Sequence, residues 1–313
     1  MAAIKILVAG IGGVGGFFGG LLAKQFEDSK AVEVHFLARG AHLEHIQKSG
    51  LQVIEGDERF TATPTLATDD AHQIGEADYI IVCTKSYDLE QTIQQLTPCI
   101  GPQTVILPLL NGVDCRERIQ KLLPNNLVCD GCVYIIARLS RPGVVENLGN
   151  IKKLFFGVEG LSDARLEVLE KLFQEAGVEV TLTPHIEKAI WEKFVFISVT
   201  ATATTYFDEP VGPIVADTDK RNTVIALVNE VAQIAKQKGI VIFKNMAEQV
   251  LAKLESLPHA ATSSLHSDVT NKKANTEVQA LVGYVVTAAQ HFSVKAPTYQ
   301  QLFAKIQTET RGS

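Results

Sequence analysis

Several common functions are excluded by what this 313-residue chain lacks. Cysteine is scarce and odd in number, with five residues (Cys83, Cys99, Cys115, Cys129 and Cys132). A secreted disulfide framework wants pairs in a shorter chain, so these read as reduced, cytoplasmic thiols. Positive charge is lacking too. Residues 1–184 carry 16 Lys+Arg against 23 Asp+Glu and residues 185–313 carry 13 against 12, for a formal net charge of −6. Such a chain has no bulk field for a polyanion, which argues against general nucleic-acid binding. An early uncharged run, Ile6 to Ala23, is 18 residues long, but seven of them are glycine. That is a poor hydrophobic segment without a signal-type cleavage pattern, so neither a membrane span nor a signal peptide is expected. There is no G-x-S-x-G, H-E-x-x-H or Walker loop, which removes the commonest hydrolase and nucleotidase templates. The remaining composition, 46% hydrophobic and 20% charged, is that of an ordinary globular protein long enough for two domains.

The order of elements predicts an α/β domain followed by an all-helical one. Short apolar runs at 4–9, 32–37, 79–83, 104–107 and 127–136 read as strands. Helical patterns at 41–48, 87–96 and 114–123 lie between them. This alternation indicates βαβ units and a mainly parallel sheet. Residues 144–158, with Gly149-Asn150 in the middle, read as a closing hairpin, and 162–176 as one more helix. Beyond Thr183-Pro184 only helical patterns remain, at 186–206, 212–238, 244–255, 275–291 and 298–308. The expected boundary gives domains 1–184 and 185–313. Cys129 and Cys132 form a C-x-x-C inside an expected strand, where residues three apart point to opposite faces; no redox or metal role is expected of them.

The first run ends in Gly10-Ile11-Gly12-Gly13-Val14-Gly15, a G-x-G-x-x-G between a strand and a helix. In that context the first glycine permits the turn and the second lets the backbone approach a pyrophosphate. The third allows close helix packing, with the anion at the helix N-terminus. A dinucleotide is expected. At the end of the second strand, where an NAD site places an acid, this chain has Arg39, whose guanidinium suits a 2′-phosphate. NADP(H) is therefore favoured; the alternative is an ordinary surface arginine. Lys85 and Asn111 follow the next two strands, at the edge where such sheets bind ligands. Asn111-Gly112 is also a hairpin signal, but the helical pattern from Asp114 argues against one. His42 and His45, three apart on a short helix, lack partners for a metal set and are expected to face solvent. No metal site is expected.

In the helix at 186–206, Lys193 shares a face with Ile186, Ile190, Ile197 and Ala201, while Glu187, Lys188 and Glu192 take the other side. A lysine inside an apolar stripe is either snorkelling to water or serving chemistry. Glu277 repeats the pattern, aligned with Leu281, Tyr284 and Ala288 opposite Gln279, Gly283, Thr287 and Gln290. An acid in a first helical turn is the alternative there. Together they suggest one partly desolvated site.

Gly10–Gly20, Arg39-Gly-Ala-His-Leu43, Cys83-Thr-Lys-Ser-Tyr87, Leu110-Asn-Gly-Val113, Ile190-Trp-Glu-Lys-Phe194, Thr276-Glu-Val-Gln-Ala-Leu281 and Ala296-Pro-Thr-Tyr299 occur in order along nearly the whole chain. In this it resembles the ketopantoate reductases (2-dehydropantoate 2-reductases). The resemblance implies a Rossmann-type domain, a helical domain and a cleft between them. The implied reaction is NADPH-dependent reduction of 2-dehydropantoate to (R)-pantoate on the route to pantothenate and coenzyme A. It also implies Lys193 as catalytic lysine and Glu277 as the motif glutamate. Asn111 matches the asparagine near nicotinamide and substrate, Lys85 the lysine at the cleft, and Ser264 a serine on the substrate carboxylate. Well-known members carry asparagines four and eight residues after the lysine; here Ile197 and Ala201 stand there. That departure bears on which 2-oxo acid is taken, not on cofactor or reaction type. The expected partners are this small 2-oxo acid and NADP(H), with no nucleic acid and no membrane, and with room for a homodimer. Two other readings stay open: a paralogue reducing another 2-oxo acid, and a non-catalytic NADP-sensing protein.

Overall fold

A computed structural model describes residues 3–149 and 151–311. The chain divides into two compact units, Met1–Leu110 with Asp114–Ile186, and Asn111–Val113 with Glu187–Ser313.

The first unit opens with β1 (Ile4–Ala9), α1 (Gly13–Gln25), β2 (Val32–Leu37) and α2 (Gly40–Ser49). A hairpin of β3 (Leu51–Glu55) and β4 (Glu58–Ala62) follows, then β5 (Leu66–Thr68), β6 (Ala77–Val82), α3 (Leu89–Gln95), β7 (Ile100–Pro108) and α4 (Cys115–Leu122). Next come β8 (Leu127–Val128), β9 (Asp130–Tyr134), β10 (Ala137–Arg141), β11 (Val144–Asn147), β12 (Lys153–Gly157), α5 (Ala164–Glu175) and β13 (Glu179–Leu182). The main sheet runs β5-β2-β1-β6-β7-β8, and all of its pairings are parallel. Counting only its own strands, this is the 3-2-1-4-5-6 order of a Rossmann fold. The β1 residues show why no polar alternation is visible in the sequence. Ile6 and Val8 enter one buried core, Leu7 and Ala9 the other, as in a sheet covered on both faces. The order in which strands are added reverses between β1 and β6, so the switch point lies beyond Ala9 and Val82, where a ligand crevice is expected.

A second sheet, β10-β11-β3-β4, lies over α1. The closeness depends on glycine: a Cβ on Gly16 would sit 2.6 Å from the Val145 side chain, and one on Gly20 2.6 Å from that of Val53.

The second unit contains α6 (Ile186–Phe207), α7 (Val211–Ala216), α8 (Thr218–Gln237), α9 (Met246–Ser256), α10 (Ser264–Thr270), α11 (Tyr284–His291) and α12 (Pro297–Arg311). One core runs through it, including Trp191, Phe194, Val231, Leu281 and Tyr299. No strand occurs among its described residues.

Several expectations need correction. The stretch 144–158 is not a hairpin. Its strand β11 pairs with β10 and β3, whereas β12 pairs with β9 and β13 in a third sheet; Asn150 lies outside the described residues. The true hairpin turns at Arg141-Pro-Gly143, one strand earlier. The expected strand 127–136 breaks at Cys129 into β8 and β9, which belong to different sheets. None of the five cysteines is in a disulfide. The expected helix 212–238 is two, because the Asp217 side chain accepts from the N–H groups of Asp219 and Lys220 and starts α8 afresh. The expected helix 275–291 contains a π-turn, Gln279–Gly283. This shifts the register, so Gly283, expected on the polar face, is buried.

Candidate active site

The glycine loop connects β1 to α1 at the switch point. Gly10 has φ +92, which a side chain would strain. A Cβ on Gly15 would lie 2.1 Å from the Gly10 carbonyl oxygen and 2.8 Å from the Cys83 Cβ. One on Gly13 would lie 2.3 Å from the Ala137 carbonyl oxygen. Gly12, the N-cap of α1, has nothing within 4 Å of its Cβ position. The loop is thus closed on its inner side and open at Gly12, beside a 13-residue helix N-terminus, which is the cradle a pyrophosphate requires. Ile11 is buried and Val14 partly so, both packed in the core; their backbone, not their side chains, forms the loop. Burial pushes the Cys83 thiol pKa up, so the thiol beneath the loop stays protonated.

Arg39 is exposed, as the N-cap of α2. Lys85 is exposed at the start of the short 3-10 turn Ser86–Asp88. That turn is held by Arg118, which donates to the Ser86 carbonyl and makes a forked contact with Glu90, each at 2.7 Å. His42 does not face solvent as expected. It is half-buried, and its Nδ1 accepts from the Gly143 N–H at 2.8 Å. His45 is exposed but lies against Gly143.

Asn111 follows β7 and is succeeded by Gly112, at φ +126, then by α4; there is no hairpin. It belongs with the helical unit, where the Lys193 Nζ donates to its Oδ1 at 3.0 Å. The orientation of Lys193 follows from its neighbours on α6. Trp191 and Phe194 pack edge-on against one another and against Tyr284, with centroids 5.6–6.3 Å apart. This buried side fixes the helix rotation and leaves Lys193 and Ile197 half-buried at its margin, with Ala201 buried further along. Glu192, expected on a solvated face, is half-buried, and burial raises its pKa despite Lys188 nearby.

Glu277 is 5% exposed and lies two residues before the π-turn, with its carbonyl accepting from the Leu281 N–H at 3.0 Å. Such turns recur at functional sites. Ser264 is exposed at the first position of α10, beside the cap Ser263. The Ser263 hydroxyl bonds to the Thr204 hydroxyl at 2.8 Å. The Asp208 carboxylate and the Thr262 hydroxyl hold the two nitrogens of His266. Thus the start of α10 is fastened to the end of α6.

Two features were not anticipated. Ser198, fully buried, donates to the Leu281 carbonyl at 2.7 Å inside the π-turn and bonds to the Tyr299 hydroxyl at 2.8 Å. A serine within a Ser/Thr-rich helix is the only sequence trace of this. The other is the His42–Gly143 contact, which joins residues 101 positions apart. Among the described residues no group of three or more His, Cys, Asp or Glu could hold a metal ion, and no helix is long and apolar enough to cross a membrane.

Residues 6–159 match the family described as ketopantoate reductase PanE/ApbA, and residues 185–309 match its C-terminal domain. The chain is 31% identical to an uncharacterized oxidoreductase of Bacillus subtilis, YkpB, over 97% of this chain and 98% of that one. It is 28% identical to a 2-dehydropantoate 2-reductase of Halobacterium salinarum, covering 96% of each. The crystal structure of 2-dehydropantoate 2-reductase from Porphyromonas gingivalis superposes with TM-score 0.85 at 36% identity, covering 97% and 99%.

Proposed function

The chain belongs to the ketopantoate reductase family, dinucleotide-dependent oxidoreductases, and from that premise we propose a cytoplasmic enzyme that reduces 2-dehydropantoate to (R)-pantoate with NADPH, for pantothenate and coenzyme A synthesis. The observation that carries the proposal is the 3.0 Å bond from the Lys193 Nζ to the Asn111 Oδ1. An ammonium has three N–H donors in a fixed cone, so binding one of them to an amide oxygen fixes the direction of the others. Lys193 donates a proton to the substrate's C2 oxygen as negative charge develops there, acting as electrostatic stabiliser and general acid. Asn111 orients that amine, Glu277 orients the substrate hydroxyl or the lysine, and Ser264 receives the substrate carboxylate. When bound, NADPH supplies the hydride from its nicotinamide C4. The open Gly12 and the closed Gly10 and Gly15 suit its pyrophosphate, and the exposed Arg39 and Lys85 suit its phosphate groups.

A second reading is favoured by Ile197 and Ala201, one and two turns beyond Lys193, which offer a substrate no hydrogen bond. It is reduction of a different small 2-oxo acid by the same residues. A panel of 2-oxo acids incubated with NADPH and followed at the nicotinamide absorbance separates the two readings. Fastest turnover on 2-dehydropantoate supports the first, and on another branched or hydroxylated 2-oxo acid the second. Tight NADPH binding with no turnover on any of them would indicate a sensor. Arg39→Ala should weaken NADPH about tenfold or more while leaving NADH little changed, since charge-assisted bonds to the 2′-phosphate are lost. Equal weakening of both refutes the 2′-phosphate role.

A further inference from the structure

One ring ties together three parts of the first unit. His42 lies one turn into α2, three residues after Arg39. Its Nδ1 accepts from the N–H of Gly143 at 2.8 Å, in the β10–β11 turn, where φ is +76. An imidazole that accepts at Nδ1 is neutral and carries its proton on Nε2. That Nε2 is buried and has no partner at hydrogen-bonding geometry; the backbone of Ile11, inside the glycine loop, is the polar group beside the ring. Burial keeps the ring's pKa below the ordinary value, so it stays neutral.

The β10–β11 hairpin is pressed against the same loop. The Ala137 carbonyl occupies the space a Gly13 Cβ would need, at 2.3 Å, and the His45 ring occupies that of a Gly143 Cβ, at 1.8 Å. Gly13 cannot acquire a side chain without moving the hairpin backbone, and at Gly143 the positive φ disfavours one as well. The result is a chain of contacts running from the phosphate loop through the hairpin and the His42 ring to the helix start that carries Arg39.

We propose that His42 is a positioning residue for the dinucleotide: it holds the Arg39 end of α2 in register with the glycine loop, so that one ligand can meet the guanidinium with its 2′-phosphate and the loop N–H groups with its pyrophosphate. This rests on the reading that the loop and Arg39 bind NADP(H). Because the effect of His42 passes through Arg39, its loss costs NADPH more than NADH. Preorganisation of this kind contributes affinity without any contact to the ligand.

The test is a fluorescence titration of NADPH and NADH against the full chain and its variants, with a melting curve for each. His42→Leu should weaken NADPH about tenfold and NADH less than about threefold. His42→Asn, whose amide oxygen can accept from the Gly143 N–H, should restore NADPH affinity to within about threefold of wild type. In an Arg39→Ala background His42→Leu should add less than about twofold, since coupled sites are not additive. If His42→Leu does not fold, His42→Gln, which presents no acceptor at the Nδ1 position, replaces it. Equal weakening of both nucleotides, full additivity with Arg39→Ala, or no rescue by asparagine would each overturn the proposal. A wild-type chain that binds neither nucleotide would remove the dinucleotide reading itself, a separate outcome.

Discussion

The two units place their chemistry by different means. In the first, the candidate pyrophosphate cradle is backbone: Gly10, Gly12 and Gly15 contribute main-chain groups at the end of β1, and the side chains within the loop, Ile11 and Val14, are turned into the core. In the second, the site is side chain: Lys193 is carried on a helix whose rotation is set by Trp191, Phe194 and Tyr284, and Glu277 is buried before a π-turn. A backbone site depends on where a Cβ is missing. A side-chain site depends on what the far side of its helix packs against. The first is therefore most sensitive to small additions, the second to loss of single polar groups.

The largest expected effect breaks the first unit. Gly15→Ala puts a Cβ 2.1 Å from the Gly10 carbonyl oxygen; it should cost about 3 kcal/mol or more of stability, from overpacking against backbone. Loss of soluble protein or a large drop in Tm would register it. Gly12→Ala meets nothing within 4 Å and should melt like wild type, yet weaken NADPH about tenfold or more by blocking the backbone's approach to phosphate. A Gly12→Ala protein that unfolds easily but binds normally would reverse the account of the loop.

In the second unit Ser198→Ala should cost about 1–3 kcal/mol in a urea titration, because it loses the buried bonds to the Leu281 carbonyl and the Tyr299 hydroxyl. No change would mean the π-turn is held by other contacts. The smallest effect is a pH dependence in the first unit. Burial lowers the His42 pKa from 6.5, so below that pH the unfolded chain takes up a proton before the folded one does. The stability His42 contributes is present above pH 6.5 and lost as pH falls through its folded value. The stability difference between wild type and His42→Asn should therefore shift across that range, and a constant difference would show the ring is not neutral and buried.

How much could be read in advance follows the same division. The glycine loop, Arg39 after β2 and the Lys193 stripe are local patterns, and each lies on its expected element. The β3–β4 hairpin also has a local signal: Gly56-Asp57 is a two-residue turn between Glu55 and Glu58, which pair across it. By contrast, the β10-β11-β3-β4 sheet joins strands some 90 residues apart, and no local spacing encodes that pairing. The π-turn adds one residue to a helical repeat, which leaves the apolar pattern almost intact while rotating everything on one side of it. Its position after β7 puts Asn111 at the ligand-binding edge of the sheet, but the contact of its side chain with Lys193 follows a turn made possible by Gly112, a property of φ rather than of periodicity.

The central claim is that an amine on α6, braced by Asn111, performs acid catalysis separately from cofactor binding. Measuring kcat and the NADPH Kd together for Lys193→Ala, on the best substrate of the 2-oxo acid panel, tests it most directly. The account predicts a fall in kcat of about a hundredfold or more with the Kd within about twofold of wild type. Turnover near the wild-type rate, or a loss confined to NADPH affinity, would contradict it.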